Sequence, residues 1–362
     1  MTHALQSFQG SSDQATQTIS SASDCRQQRL TGEDALRRQT LKALSLGLFG
    51  SAGLGLSDAT HAQANYPSKS VRIIVPFSAG GTTDILAREM SGHFTERWKQ
   101  SFVVENKGGA GGTLGTDLAV RAPADGYTLL CASVGPLAVN PTLIKKLSYN
   151  PLVDLVPIVL IADVANVLVV NPNVNAKTVE EFIKLLEQNP DKFNYGSTGI
   201  GTAAHLSGAL FGIRTKTKIQ HIPYRGAEAV QDLLAGRIQF MFATAPSIMP
   251  QIKAGKVRAL AVTSLERSRA LPEVPTMKER GLSDFDSGSW FGFLAPKGVP
   301  DQVVREINKA TNEALKLPAV QTKLITAGAD PVGGSPADFY NFIKTETAKW
   351  RNVIIETGVE PQ

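Results

Sequence analysis

Apolar residues follow two alternating rhythms along this chain. From Ser70 onward, short runs that are apolar throughout read as buried strands. Between them, apolar residues recur every three to four positions, which reads as helix. VRIIV (71–75) predicts a strand, and the next segment a helix from about Thr83 to Trp98 with Leu86, Met90 and Phe94 on one face. SFVVEN, GTLGTDLAVRA, YTLLCAS and PLAVNPTLIKKL continue the alternation. A second series runs VANVLVVNP, TVEEFIKLLEQNP, FNYGS, GTAAHLSGALFG, KIQHIPY, GAEAVQDLLAG, IQFMFA, SIMPQIKAG and VRALAVTS. In it Val179, Phe182, Ile183, Leu185 and Leu186 keep helical spacing, and glycines 226, 236 and 255 start or stop helices. After SWFGFLAP the pattern turns helical, through DQVVREINKATNEALK, AVQTKLITAG and SPADFYNFIKTETAKWRNVIIETG.

Continuous apolar strands separated by amphipathic helices predict an α/β fold with parallel sheets covered on both faces. Two such series predict two lobes. The first takes residues 65–165 and 291–362, with the late helices packing back onto it, and the second takes 166–290. Crossings near VLIADVANV and near SGSWFGFLA form a hinge and leave a cleft between the lobes.

Residues 1–64 break this pattern. Residues 1–35 are rich in Ser, Gln, Thr and Asp without periodicity, which predicts no folded unit. Arg37 and Arg38 then precede an apolar stretch from Leu41 to Leu56 holding four glycines, followed by Thr60-His61-Ala62 and Ala62-Gln63-Ala64 as small-residue cleavage sites. The stretch is short and Gly-rich for a membrane span, so a cleaved export signal is expected. RRQTLK comes close to a twin-arginine pattern, with Thr40 where an aromatic is common. Cleavage would remove Cys25 and leave Cys131, in the apolar run YTLLCAS, as a buried inert thiol.

Composition fits a folded, mildly basic soluble protein. Of 362 residues 42% are apolar and 19% charged, enough for a sizeable core. The net charge is +5 and no run of Lys or Arg exceeds two residues, which argues against a nucleic-acid partner.

The candidate chemistry lies where strands run into glycine-rich turns. In VPFSAGGTTD, Gly80 and Gly81 let backbone approach a ligand, Thr82 or Thr83 can cap the helix, and uncapped N–H groups bind anions without Arg or Lys. Asp84 complicates that picture, because a carboxylate in the first turn already satisfies the helix dipole. NYGSTGIGTAAHL repeats the device in the second lobe with Gly196, Ser197, Thr198, Gly199, Gly201 and Thr202. HIPYRGAEAV adds Tyr224, Arg225 and the Gly226 N–H, with Arg225 either pairing with a carboxylate or lying on the surface.

These segments, with ENKGGAGGTLGTDLAVRAPADGYTLL, IKAGKVRALAVTS, LPEVPTMKERG and SWFGFLAPKGVP, resemble the periplasmic solute-binding proteins of tripartite tricarboxylate transporters, the Bug or TctC-like group. The resemblance runs from Tyr66 to the C-terminus. It implies a type II periplasmic-binding fold that closes like a Venus flytrap, and delivery of a small carboxylate to a membrane permease. Members take citrate, other di- and tricarboxylates, amino acids, nicotinate or aromatic acids. Carried onto this chain, it implies a first-lobe ligand loop of Phe77, Ser78, Ala79, Gly80, Gly81, Thr82, Thr83 and Asp84, with Asp84 helping to hold a carboxylate through water. It further implies Ser133 in the first-lobe wall and Ser197 to Thr202 with His205 in the second lobe. No catalytic residue, metal or cofactor is implied, and a monomer is the default. One departure is that Ala243 and Thr244 stand where the family often has an Asp, which makes that wall more apolar. Phe77 is expected to be a ligand wall, while Trp290 and Phe291 fit either the cleft or hinge packing.

Two rivals are weaker. A nucleotide-dependent α/β enzyme is suggested by GAGGTLG (109–115) and GIGTAA (199–204), but the next strands end at CAS and IPY, without the acidic residue a ribose needs. A serine hydrolase fails because Pro76 stands at the first position of the G-x-S-x-G pattern around Ser78, and His93, His205 and His221 form no evident triad.

Overall fold

Val71–Val75 forms β1, and its core-facing residues are fully buried because helices cover both faces of the sheet it joins. A computed structural model describes residues 66–360; the export-signal reading of residues 1–64 lies outside them. Helix α1 (Thr82–Trp98) follows, with Leu86, Met90 and Phe94 buried on the predicted face. Then come β2 (Phe102–Asn106), α2 (Thr113–Val120), β3 (Thr128–Ser133), a π-helical turn at Gly135–Val139, α3 (Asn140–Leu143) and α4 (Pro151–Asp154). Strand β4 (Leu155–Val164) ends one residue before β5 (Asn166–Val170). After β5 come α5 (Val179–Gln188), β6 (Asn194–Ser197), α6 (Ala203–Thr215), β7 (Gln220–Pro223), α7 (Glu228–Leu234), β8 (Phe240–Thr244), α8 (Ala245–Lys253) and β9 (Arg258–Val262). The chain finishes with β10 (Ser289–Pro296), α9 (Asp301–Lys316), α10 (Pro318–Ala327), β11 (Asp330–Gly333) and α11 (Pro336–Thr357).

Two sheets result. One has the order β11-β4-β10-β3-β1-β2 and the other β7-β6-β8-β5-β9. The chain passes from the first to the second between β4 and β5, and returns between β9 and β10. Gly288, just before β10, packs against the Val164 carbonyl at the end of β4, so the outgoing and returning segments touch.

The sheets are mixed, which corrects the expectation of parallel ones. β1 pairs in parallel with β2 and β3, and β6 with β7 and β8. β10 runs antiparallel to β3 and β4, β4 to β11, and β5 to β8 and β9. The reason is directional: β4 leads out of the first sheet and β10 leads back in, so the two must oppose each other, whereas successive strand–helix units build parallel pairs. The short β11 carries Gly333 and Pro331 and gave no strand signal in the sequence.

Helices α9 and α11 pack on β4, and α9 also on α1, so the late helices do cover the first sheet; α11 reaches α6 of the second as well. Glu346 of α11 accepts the indole N–H of Trp290 at 2.9 Å and that of Trp350 at 3.0 Å. Trp290 therefore belongs to this packing, edge-on to Phe339. Cys131 is fully buried, and burial pushes its thiol pKa up.

Candidate functional site

Helix starts in this fold are of two kinds, capped by a side chain or left without one. At the head of α5 the Thr178 side chain accepts from the Glu181 N–H, and at α11 Ser335 and Asp338 form a reciprocal capping box. Helix α1 begins after Gly81, which has no side chain to offer, and neither Thr82 nor Thr83 caps it. Among the described residues no group of the protein takes the N–H of Thr82 or Thr83. Thr82 Oγ1 instead lies 2.7 Å from Thr244 Oγ1 of the other sheet.

These groups face a cavity of about 310 Å³ beyond the carboxyl ends of β1 and β3 in one sheet and of β6 and β8 in the other. Of the residues the sequence nominated, Phe77, Ser78, Ala79, Gly80, Gly81, Thr82, Thr83 and Ser133 line it from the first lobe, and Thr198 and Thr202 from the second. Gly226, whose N–H the sequence also offered, lines it too, whereas sequence reasoning missed the second-lobe wall of Ala203, Ala204, Ala227, Val230 and Gln231 and the α8 face of Ser247 and Gln251. A signal was present: Thr244, Ser247 and Gln251 recur at helical spacing just after a strand's carboxyl end. Phe291 lines the cavity while its neighbour Trp290 points to the other side of β10, as strand alternation requires.

No Asp, Glu, Lys, Arg or His is among the lining residues. The lining offers backbone N–H groups, hydroxyls and carboxamides instead.

Seven predicted residues lie outside that lining. Asp84 is buried and its carboxylate is engaged internally, accepting from the Gly80 N–H at 3.0 Å, from Arg88 Nε at 2.9 Å and from Asn106 Nδ2 at 3.0 Å. Burial raises its pKa, but these bonds, the Arg88 one first, outweigh burial and hold it below the usual carboxylate value. Ser197 is fully buried, sharing its hydroxyl with Gly199 O at 3.1 Å and His221 Nε2 at 2.7 Å. His205 accepts from the Gly201 N–H at 3.3 Å and stacks on His221 with ring centroids 4.1 Å apart. Gly199 and Gly201 turn toward the first lobe rather than the cavity. A Cβ on Gly199 would stand 3.3 Å from Gly111 Cα, and one on Gly201 2.2 Å from Asn140 Oδ1. Tyr224 donates to Asp232 at 2.8 Å, and Arg225 is exposed.

The GAGGTLG segment, weighed above as a nucleotide motif, thus has another use: it brings backbone of the first lobe against backbone of the second. The lobes are also bonded directly, with Ser78 Oγ accepting the Ala227 N–H at 3.0 Å. Among the described residues no group of three metal-ligating side chains converges, and no helix is long and apolar enough to cross a membrane.

Comparison with known proteins gives a consistent result. Residues 86–359 match the family described as the tripartite tricarboxylate transporter family receptor, TctC. Protein BugT of Bordetella pertussis is 38% identical over 297 residues, covering 82% of this chain and 91% of BugT. The structure of R. palustris Rpa4515 with adipate matches with a TM-score of 0.81 at 34% identity, over 82% of this chain and all (100%) of that one. MatC from Rhodopseudomonas palustris with bound malate matches with a TM-score of 0.76 at 30% identity, over 80% of this chain and 100% of MatC. The two-sheet α/β architecture is accordingly that of a two-lobe type II periplasmic-binding fold. The chain belongs to the tripartite tricarboxylate transporter receptor family.

Proposed function

We propose that this protein is an extracytoplasmic receptor that captures a small carboxylate between its two lobes and delivers it to the permease of a tripartite tricarboxylate transporter. The observation that carries the reading is the uncharged cavity at the start of α1, where the Thr82 and Thr83 N–H groups have no partner among the described residues. Such a helix start carries roughly half a positive charge and suits an anion. Relatives holding adipate and malate support the same chemistry.

In this reading one carboxylate sits on the loop from Phe77 to Thr83, with Thr198 and Thr202 closing over it from the second lobe. Asp84, Ser197, Gly199, Gly201 and His205 set the shape of those loops from behind. Closure excludes water, so each N–H dipole gains strength when the lobes meet. The ligand's extra contacts in the closed form shift the open–closed equilibrium, and the permease reads that shift. The domain division at the two crossings, 65–165 with 291–362 against 166–290, fits this motion, with Ala165 and Gly288 as hinge points. Export by a cleaved signal within residues 1–64 places the protein in the periplasm as a monomer. It binds and releases its ligand without turnover.

A thermal-shift screen of mono-, di- and tricarboxylates and aromatic acids tests the proposal. A cognate ligand at a hundredfold over its Kd stabilises the folded state by about 2.7 kcal/mol, a readily measured rise in melting temperature. A flat response across the whole panel would refute it.

A further inference from the structure

A carboxylate seated on the α1 loop leaves two cavity side chains without a task, Gln231 of α7 and Gln251 of α8. Gln251 Oε1 is buried and has no hydrogen-bond partner among the described residues. The part of this carboxamide that lines the cavity is therefore its NH2 group. Gln231 is exposed and presents its own NH2 at the mouth of the same cavity. An amide NH2 carries two donors and no lone pair to offer, and neither of these donates to another group among the described residues.

The helices that carry the two amides set them back from the α1 loop. Helix α8 meets the first lobe at Thr244, whose hydroxyl lies 2.7 Å from Thr82 Oγ1, and Gln251 stands two turns further on, about 10 Å along the axis. Before α7 the contact is Ala227, whose N–H reaches Ser78 Oγ at 3.0 Å, and Gln231 stands one turn on, about 6 Å. Phe77, Val230, Met241 and Phe291 give the same cavity apolar wall. The hydroxyls of Thr82, Thr244 and Ser247 can each donate or accept, so they set no preference of sign. No acidic side chain lines the cavity to balance a cation.

We propose that Gln231 and Gln251 determine specificity for the far end of the ligand: their NH2 groups hold a hydrogen-bond acceptor there, and they read an acceptor rather than a charge. This rests on the carboxylate reading above and adds the chemistry of the other end. The ligand class is an acid with an apolar spacer that ends in a second carboxylate or in a neutral carbonyl such as a carboxamide. A terminal methyl leaves the amides without an acceptor. A terminal ammonium meets N–H hydrogens of its own polarity, with no carboxylate to balance it. Either end forfeits about one hydrogen bond in a site closed to water, or about tenfold in affinity.

The test is calorimetric titration of the full-length protein with matched straight-chain acids of four and six carbons. In each length one end is a carboxylate, and the other a carboxylate (succinate, adipate), a carboxamide, a methyl or an ammonium. The expected result is that the dicarboxylate and the amide acid both bind about tenfold tighter than the methyl-ended and ammonium-ended acids of equal length. Gln231→Leu and Gln251→Leu should each weaken the first two by about fivefold to tenfold and leave the methyl-ended acid unchanged, which a merely structural role would not do. Gln231→Glu, which puts an oxygen in place of the NH2 at an exposed position, should weaken the dicarboxylate and strengthen the ammonium-ended acid. A methyl-ended or ammonium-ended acid that matches the other two, or an amide acid no tighter than the methyl-ended one, overturns this proposal and leaves the carboxylate reading standing. So do affinities that are unchanged in either Leu variant or fall equally for all the acids. No binding by any of the acids overturns both readings.

Discussion

Asp84 accepts the backbone N–H of Gly80 at 3.0 Å, so the carboxylate one turn into α1 pins the loop that precedes the helix. It does so from the buried side, with Arg88 and Asn106 completing its coordination, while the loop's other side faces the cavity. Asp84→Ala leaves the Gly80 N–H and the Asn106 amide short of an acceptor, a loss of about 1–3 kcal/mol. In a chain of this size that lowers the melting temperature of the ligand-free protein by about 2–6 °C. The ligand-induced rise should shrink as well, because the loop loses its shape. An unchanged ligand-free melting temperature, with only the ligand response reduced, would show that Asp84 touches the ligand instead.

Ser78 tests closure from the first-lobe side. Its hydroxyl accepts the Ala227 N–H, a bond that exists only when the lobes meet. Ser78→Ala removes that bond and leaves the N–H at the head of α7 without a partner. The closed form then loses about 1 kcal/mol relative to the open one, which weakens ligand binding by about fivefold and leaves the ligand-free melting temperature nearly unchanged. Calorimetry beside a thermal melt checks both halves, and full wild-type affinity would remove this bond from the closing set.

A pair of imidazoles behind the second-lobe loop makes stability depend on pH. His205 and His221 are neutral when folded: burial depresses His205 to about 4, and burial together with the His205 charge depresses His221 to about 3. Unfolded, both titrate near 6.5. Between those values the unfolded chain binds more protons, so stability is fully present above about pH 6.5 and falls as the pH drops through 6.5 toward 4. His221→Gln removes one of the two titrations and should flatten the fall in melting temperature across that window. Curves for variant and wild type that run parallel from pH 7 to 4 would show that the pair does not titrate as stated.

The strand-to-helix turns at 71–84 and 194–206 were legible in the sequence because a buried strand, a glycine turn and an amphipathic helix each leave a local pattern. The two-lobe division was legible for the same reason. The direction of β10 was not, since strand sense is fixed by the path of the whole chain and leaves no mark on SWFGFLAP. Asp84 was legible as unusual but not as a loop anchor, because its partners Arg88 and Asn106 are ordinary residues until the fold brings them together. Trp290 and Phe291 show how far alternation goes: it puts the two rings on opposite faces of a strand, but only the sheet's neighbours say which face holds the cavity.

Gly111 offers the sharpest test of lobe closure. Its φ of +60° is left-handed, and a Cβ there would stand 2.1 Å from the Ile200 carbonyl oxygen of the other lobe. Backbone cannot yield as a flexible side chain can, so the contact is relieved by keeping the lobes apart. Gly111→Ala carries a backbone strain of about 1–2 kcal/mol in either state, and the steric clash falls on the closed state alone. The ligand-free protein should stay folded with a modestly lower melting temperature, while ligand affinity drops by on the order of tenfold or more. Small-angle scattering separates the two effects: the wild type should contract on adding ligand and the variant should not. Wild-type contraction in Gly111→Ala would mean that the glycine segments at 109–112 and 199–201 can part without hindering closure.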